Sequence, residues 1–178
     1  MDYQAIIDKY YPTDDDLRRL LLKHSQQVAD RCLLICDRHP ELRLDREFLL
    51  EAAMLHDIGI SRCHAPSIFC CGSEPYICHG LIGAEMLRAE GWERHARVCE
   101  RHTGTGLTAA QIERQQLPLP HRDFVPEELE EQVVCYADKF YSKSHPDRVL
   151  TVTEAAQSLE KFGSEGVTKF LEWSVRFE

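Results

Sequence analysis

The fold is decided by the stretch LLEAAMLHDIG at residues 49–59. Its first seven residues are mostly apolar and repeat with the period of an α-helix, and Gly59 marks where that helix must end. His56 follows Leu49 by seven positions and Ala52 by four, so it lies on the same inward face of the helix. A histidine on such a face, followed at once by Asp57, needs a polar partner inside the protein.

Polar residues on apolar helix faces recur elsewhere in the chain. Each follows an apolar residue of its own helix by four positions: His24 after Leu20, His102 after Val98, and Asp138 after Val134. A buried carboxylate without compensation is costly, so several inward polar groups need one common partner. A metal ion can be that partner, because imidazole and carboxylate ligands together suit iron, manganese, zinc, nickel or magnesium.

The rest of the chain also has the pattern of helices, with no Asn-Gly or Asp-Gly signal for a β-hairpin. The fold class is therefore predicted to be all-α, as one compact helical bundle over residues 1–178. Its core spans about 13–143, and C-terminal helices over 146–177 pack on it. Helices are predicted over 13–38, 45–59, 79–90, 92–102, 127–143, 146–162 and 164–177, with a brief one opening at 108–111 and loops at 60–78 and 117–126.

Composition limits the function classes. The 178 residues carry a net charge of −9 without clustered Lys and Arg, which argues against a nucleic-acid polymer as partner. No apolar run is long enough to span a bilayer, and the first residues lack the layout of a signal peptide, so no membrane partner and a cytoplasmic location are expected. Cys32, Cys36, Cys99 and Cys135 lie in helical patterns as small apolar residues, and His95 lies among charged residues that indicate a surface.

The motif His56-Asp57-Ile58-Gly59, with His24 upstream and Asp138 downstream on helices, resembles the HD domain superfamily of metal-dependent phosphohydrolases. The segment Arg101–Gly104 adds to the likeness with the HDIG-type, stand-alone branch, and the resemblance covers about residues 13–143. It implies an HD-domain helical bundle with one or two bound metal ions. The ligands implied for the first metal are His24, His56, Asp57 and Asp138, and those for the second are His79 and His102 together with a bridging Asp57.

The resemblance also implies a reaction. Metal-bound water of lowered pKa would attack the phosphorus of a small-molecule phosphate, either a nucleotide or another phosphate ester. Asp57 would serve catalysis as the bridging ligand. Positive charge near the phosphate would stabilise the developing negative charge, and the candidates by position are Lys139, Arg62 and His64. An ordinary surface position explains Lys139 about as well as a role in catalysis does.

The loop over residues 61–78 lies between two implied ligands and is a candidate lid over the site. Phe69, Glu74 and Tyr76 are candidates for contact with a base or sugar, although Phe69 and Tyr76 are equally explained by packing of the loop. The role of its four cysteines stays open between ordinary thiols, a structural zinc site and a redox pair: Cys63, Cys70, Cys71 and Cys78.

Two other functions remain compatible with the sequence. Some proteins that resemble this ligand set hold a di-iron pair and oxidise a small diol or an aminophosphonate with dioxygen. A non-catalytic module that senses a nucleotide is the other alternative. The sequence leaves the substrate, the metal and the oligomeric state undecided, a homodimer among the states considered.

Overall fold

The computed structural model describes residues 2–178, apart from the side chain of Phe162, and Met1 of the predicted 1–178 domain lies outside this description. The described chain is built mainly from helices, which confirms the all-α prediction. The α-helices are α1 Tyr3–Tyr10, α2 Asp16–Arg38, α3 Arg46–Leu55, α4 His79–Ala89, α5 Glu93–Arg101, α6 Ala109–Arg114, α7 Leu129–Asp138, α8 Val152–Ser158 and α9 Ser164–Phe177. Short 3-10 helices cover Pro40–Leu42, Ile58–Arg62, Pro66–Ile68, Tyr76–Cys78 and Glu160–Phe162.

Capping side chains set where the helices begin. The Asp15 carboxylate accepts from the backbone N–H of Arg18, so α2 begins at Asp16 and not at the predicted Thr13. Thr108 forms the predicted capping box with Gln111 at the start of α6. None of the helices within residues 2–178 combines the length and the apolar character that crossing a membrane requires.

The helices pack around one apolar core. α2 lies against α3 and α7, while α4 lies against α5 and the 3-10 helix that follows α3. The largest fully buried side chains include Leu21, Leu49, Leu55, Leu87 and Phe140. The polar residues of the candidate site therefore lie at the junction of helices that the apolar core holds in place.

Three predicted segments differ in the structure. The predicted loop over 60–78 contains the 3-10 helices Pro66–Ile68 and Tyr76–Cys78, the end of a third, and a short antiparallel pair, β1 His64–Ala65 with β2 Cys70–Cys71. The helix predicted to run to Lys143 ends at Asp138, and the chain turns into β3 Tyr141–Ser142, which pairs with β4 His145–Val149. The helix predicted from Pro146 begins at Val152 instead, because Thr151 and Glu154 form its capping box.

The C-terminal helices are part of the same core. The rings of Phe170 and Phe177 on α9 lie 5.0 and 5.4 Å, respectively, from the ring of Tyr136 on α7. Leu159, which follows α8, is buried as well. Residues 152–177 therefore close one side of the bundle, which is where the sequence places its C-terminal helices.

Candidate metal centre

Six buried side chains converge between the helices. They form two groups in which the potential ligand atoms lie within 4.8 Å of one another. The first group is His24, His56, Asp57 and Asp138, and the second is Asp57, His79 and His102. The structure thus brings together all six residues that the resemblance implies as ligands, and Asp57 belongs to both groups.

Asp57 directs each carboxylate oxygen to a different pair of histidines. Its Oδ2 lies 3.2 Å from Nε2 of both His24 and His56. Its Oδ1 lies 3.4 Å from Nε2 of His79 and 3.5 Å from Nε2 of His102. A carboxylate placed in this way can bind two metal ions at once, one through each oxygen.

The ligand groups come from helix ends as well as from a helix interior. His24 lies in the middle of α2, while Asp138 is the last residue of α7. His56 and His102 directly follow α3 and α5, and His79 begins α4. Helix ends can direct side chains inward without displacing apolar residues of the same face.

Close backbone approach holds the His-Asp turn against α4. A Cβ added to Gly59 would lie 2.2 Å from the His79 carbonyl oxygen and 2.5 Å from the Gly83 nitrogen. Only a glycine fits at this crossing. The Tyr11 hydroxyl adds a second restraint, since it donates to the carbonyl of Ile58 at 2.8 Å.

The hydrogen bonds of three histidines determine which ring nitrogen faces the centre. Nδ1 bonds to the carbonyl oxygen three residues earlier, at 2.7 Å for His56 and His102 and at 2.6 Å for His79. In the neutral ring Nδ1 then carries the proton and Nε2 carries the lone pair. This arrangement is typical of histidines that bind metal through Nε2.

His79 and His102 provide the clearest test of whether a cation fits. Their Nε2 atoms are 3.0 Å apart. Because each Nδ1 donates to a backbone carbonyl, both Nε2 atoms present lone pairs, which repel at this distance unless a positive charge lies between them. The pair is therefore suited to a shared metal ion.

Unsatisfied polar atoms support the same fit. Nε2 of His24 and His56 and the Oδ1 oxygen of Asp57 are buried without a hydrogen-bond partner. Such groups cost free energy unless something compensates them. A metal ion bound by histidine nitrogens and carboxylate oxygens would compensate all of these atoms together.

Most of the pKa shifts favour the protonation states that bind metal. The exception is His56: burial alone would lower its pKa, but Asp57 and Asp138 raise it to about 9, so a metal ion must displace a proton there. Burial alone would raise the pKa of Asp57, but Lys143 and His56 hold it well below its usual range. The pKa of Asp138 is also well below its usual range, since Lys139 and neighbouring histidines outweigh burial. Burial lowers the pKa of His79 to about 3, so this histidine is neutral at neutral pH. Ionised carboxylates and neutral imidazoles are the forms that bind metal.

Two lysines contact the carboxylates of the centre. Lys139 Nζ lies 2.6 Å from Asp138 Oδ2 and donates to the His102 carbonyl at 3.1 Å, so this predicted residue lies at the site. Lys143 Nζ lies 2.5 Å from Asp57 Oδ2. Sequence reasoning missed Lys143, because a helix continuing to that position would direct its side chain away from Asp138.

A cavity of about 310 Å³ opens beside the centre. Three of the six ligands line it, together with Tyr76 and both lysines: His79, His102, Asp138, Lys139 and Lys143. Tyr76 also stacks on the ring of His79, with ring centroids 4.7 Å apart. Of the predicted substrate-binding residues, Tyr76 is thus in position to contact a ligand.

Other predicted site residues lie elsewhere. Within the described chain, Arg62, His64, Phe69 and Glu74 are absent from the lining of this cavity. All four are exposed, and His64 belongs to β1 on the surface. The geometry therefore gives no support to the roles predicted for them in catalysis or substrate binding, and it places Lys143 where the sequence suggested Arg62 or His64.

The cysteines of the 61–78 segment are free thiols. Cys63, Cys70 and Cys78 are buried, whereas Cys71 is exposed. Among the described residues, the groups that could hold a metal consist of histidine and aspartate alone. Burial raises the pKa of Cys63 to about 12 and that of Cys70 to about 11, so these thiols stay protonated at neutral pH.

A helical bundle with histidines and aspartates converging in its core defines a class of metal-binding domain. Comparison with known families gives that class a name. The HD domain family matches residues 21–142, and the chain belongs to this family. The resemblance expected from the His-Asp doublet is thereby confirmed.

Curated relatives share the domain within longer chains. Proteins named tRNA (cytidine(56)-2'-O)-methyltransferase from Picrophilus torridus and Thermoplasma volcanium are 31% and 28% identical over 85% and 92% of this chain. The matches cover only 42% and 43% of those proteins. An uncharacterised protein of Methanocaldococcus jannaschii is 37% identical over 64% of this chain and 66% of its own length. The chain thus spans less than half of the two named relatives.

A solved structure supports the fold. The HD domain of the L. monocytogenes phosphodiesterase PgpH superposes with a TM-score of 0.54 over 95% of this chain and 93% of that domain. The sequence identity is 13%, so this similarity concerns the fold.

Proposed function

We propose that the protein is a metal-dependent phosphohydrolase that acts on a nucleotide or another small phosphate ester. The observation that carries the proposal is the convergence of six metal-type ligands, three of which line a cavity that lysines also line. Metal ligands and ammonium groups at one cavity suit an anionic substrate better than a neutral one. The cavity volume of about 310 Å³ suits a small molecule.

The position of each residue at the centre or the cavity indicates its role in the proposed reaction. A bound metal ion would lower the pKa of water and neutralise phosphoryl oxygens. His24, His56 and Asp138 would hold one ion, His79 and His102 another, and Asp57 would join the two. Lys139 and Lys143 place positive charge at the cavity, where negative charge develops on a phosphoryl group during hydrolysis.

The proposal is tested by measuring the hydrolysis of phosphomonoesters and phosphodiesters. The protein is loaded in turn with Mn²⁺, Fe²⁺, Ni²⁺, Zn²⁺ or Mg²⁺. We expect activity with at least one metal and complete loss in Asp57→Ala, since that change removes the ligand shared by both groups. Asp30→Ala is the matched control, because Asp30 is exposed and contacts Gln26 on the same helix. Full metal content and activity in Asp57→Ala would contradict the assignment.

Metal content per chain decides between one and two ions. We expect about two metal ions in the wild type, and about one in His102→Ala, because His102 contributes to only one of the two groups. The control is His121→Ala, which alters an exposed histidine. A single metal ion in both the wild type and His102→Ala would indicate a mononuclear centre.

A di-iron oxygenase is the second candidate, and the ligand set of four histidines and two aspartates favours it. Iron content of about two, oxygen uptake with a small diol or aminophosphonate, and no phosphatase activity would support it. Tight nucleotide binding without turnover in any metal would support the sensing module. The methyltransferase names belong to relatives more than twice as long as the region that they share with this chain.

A further inference from the structure

Each aspartate of the first group is paired with a lysine, but the two lysines differ in which oxygen they contact. Lys139 Nζ lies 2.6 Å from Asp138 Oδ2. The other oxygen, Asp138 Oδ1, lies 3.0 Å from Nε2 of His24 and 3.5 Å from Nε2 of His56. Lys139 also donates to the His102 carbonyl at 3.1 Å. Lys139 is thus held by two contacts and does not occupy the oxygen that lies nearest the histidines.

Lys143 contacts the oxygen of Asp57 that faces the histidines of the first group. Its Nζ lies 2.5 Å from Oδ2, and this oxygen lies 3.2 Å from Nε2 of both His24 and His56. A metal ion bound by these two histidines and Asp57 would use the same oxygen. Because a lysine keeps its proton beside a carboxylate, two cations would then compete for one oxygen atom in a buried site.

The place of Lys143 in the fold allows its ammonium to leave Asp57. Lys143 lies in the turn between Ser142 and His145, which pair across β3 and β4. Its side chain lines the cavity of about 310 Å³, and it hydrogen-bonds with Tyr76, another residue of the cavity wall. Lysine has a flexible four-carbon stem, so the ammonium can turn from the centre into this space without a change in the backbone.

We propose that a metal ion bound at the first group displaces the Lys143 ammonium from Asp57 into the cavity, where it binds the phosphate of the substrate. In the metal-free protein the lysine compensates a buried carboxylate that would otherwise be costly. With metal bound, the same ammonium is available to an anion, so metal binding and phosphate binding are coupled through one side chain. This inference rests on the proposed function for the identity of the anion as a phosphate.

Metal affinity tests the displacement. Mn²⁺ is titrated by calorimetry into metal-free His102→Ala protein, in which only the first group keeps all of its ligands. In this background we expect Lys143→Met to bind Mn²⁺ about tenfold more tightly or better, because the metal ion no longer has to displace an ammonium. Lys143→Arg keeps a cation at the position, so its affinity for Mn²⁺ should stay within about threefold of that of the parent.

Lys139→Met is the matched control. The side chains of Lys139 and Lys143 are 11% and 13% exposed, and each is paired with one aspartate of the first group. Because Lys139 contacts the oxygen that lies away from the pair of histidines, its removal should change the affinity for Mn²⁺ by less than about threefold. Equal strengthening by the two variants would mean that only net charge matters, and it would overturn the inference. Unchanged affinity in Lys143→Met would overturn it as well.

Amine labelling follows the same movement in the wild-type chain, so it does not depend on the folding of a variant. Lysines are acetylated with N-hydroxysuccinimidyl acetate in EDTA and with saturating Mn²⁺, and mass spectrometry quantifies each position. We expect Lys143 to react at least about threefold faster with Mn²⁺, because its ion pair with Asp57 is then broken, while Lys139 changes by less than about twofold. Equal labelling of Lys143 in the two conditions would contradict the displacement.

Inorganic phosphate tests where the displaced ammonium goes. Added to the Mn²⁺-loaded wild type, it should slow the labelling of Lys143, because a phosphate in the cavity pairs with the ammonium. Labelling of Lys139 serves as the internal reference. Labelling of Lys143 that phosphate leaves unchanged would overturn its role in binding the anion.

The two proposals fail separately, because neither metal affinity nor amine labelling requires turnover. Displacement of Lys143 by metal, without hydrolysis of any phosphate ester, would support this inference and overturn the proposed reaction. Turnover of phosphate esters by a protein in which Lys143 stays protected with metal bound would overturn the displacement and leave the phosphohydrolase intact.

Discussion

Lys143 compensates the most deeply placed carboxylate of the centre, since its Nζ lies 2.5 Å from Asp57 Oδ2. In Lys143→Met we expect the metal-free protein to lose about 3–5 kcal/mol in free energy of unfolding, the cost of leaving a buried charge without its partner. Added metal should recover much of this loss, because a cation then compensates Asp57 again. Urea unfolding in EDTA and with saturating Mn²⁺ measures both quantities.

Lys23→Met is the control for this change. Lys23 Nζ lies at the same distance of 2.5 Å from Asp147, but both side chains are exposed. An exposed ion pair contributes little to stability, so the metal-free and metal-loaded forms of this control should resemble the wild type. An equally small effect of Lys143→Met would show that Asp57 does not depend on this lysine.

His95 is buried, which contradicts the surface role expected from its charged neighbours in the sequence. Its Nε2 lies 3.1 Å from Glu51 Oε2, and its ring meets the edge of Phe48. Burial lowers the pKa of His95, with Glu51 opposing the shift. The charged residues around His95 in the sequence point to other faces of α5, which a local pattern cannot reveal.

The lowered pKa of His95 predicts sensitivity to acid. Below pH about 6.5 the unfolded chain binds a proton at this histidine before the folded chain does, so stability falls as the pH falls. We expect His95→Gln to lose less free energy of unfolding between pH 7 and pH 5 than the wild type loses. His121→Gln, at an exposed position, should keep the wild-type slope. Urea unfolding at the two pH values measures the difference.

The helical period alone predicts much of the centre, because it places His24, His56 and Asp138 on apolar faces that must turn inward. His79 came from the resemblance, since it begins its helix and no preceding turn shows its direction. Lys143 could not be found in this way. Its approach to Asp57 depends on α7 ending at Asp138, and helix ends are set by contacts that a periodic pattern does not contain.

At the scale of elements, the crossing of α4 over the His-Asp turn depends on Gly59. In Gly59→Ala the new Cβ would meet backbone atoms at 2.2 and 2.5 Å, and neither can move without shifting α4. We expect a loss of about 1–3 kcal/mol in free energy of unfolding, together with weaker metal binding because His79 begins that helix. Urea unfolding and metal titration measure the two effects.

Gly91→Ala separates the crossing from the general cost of replacing a glycine. A Cβ there meets nothing within 4 Å, but the residue has a φ of +82°. The expected cost is therefore about 1 kcal/mol from backbone strain, with metal binding unchanged. Weakened metal binding in this control as well would mean that the effect of Gly59→Ala is not specific to the crossing.

The start of α6 is an element boundary that the sequence predicts correctly from a capping box. Thr108 and Gln111 define the start of α6 in the sequence and in the structure. The strand pair β3–β4 was missed because it arises from contact between residues on both sides of a turn, at Tyr141 and Val149. Short strands of this kind carry too few residues for an alternating pattern to emerge.

At the scale of the whole molecule, the C-terminal helices belong to the core that positions the centre. Phe170 is fully buried and stacks on Tyr136, two residues before Asp138 along α7. We expect Phe170→Ala to lower the free energy of unfolding by about 3–5 kcal/mol. Leu171→Ala, at the neighbouring and largely exposed position, should change it by less than about 1 kcal/mol. Urea unfolding of both variants compares them directly.

The six candidate ligands are distributed along the chain from His24 to Asp138, and Asp57 alone joins the two groups. During synthesis the residues of the second group, which ends at His102, leave the ribosome before Asp138, so the first group and the complete centre form only once α7 has been made. A nascent chain therefore presents an incomplete set of ligands to metal ions. The folded protein therefore selects the metal ion. Which ion it binds depends on the ions that are available in the cell once folding is complete.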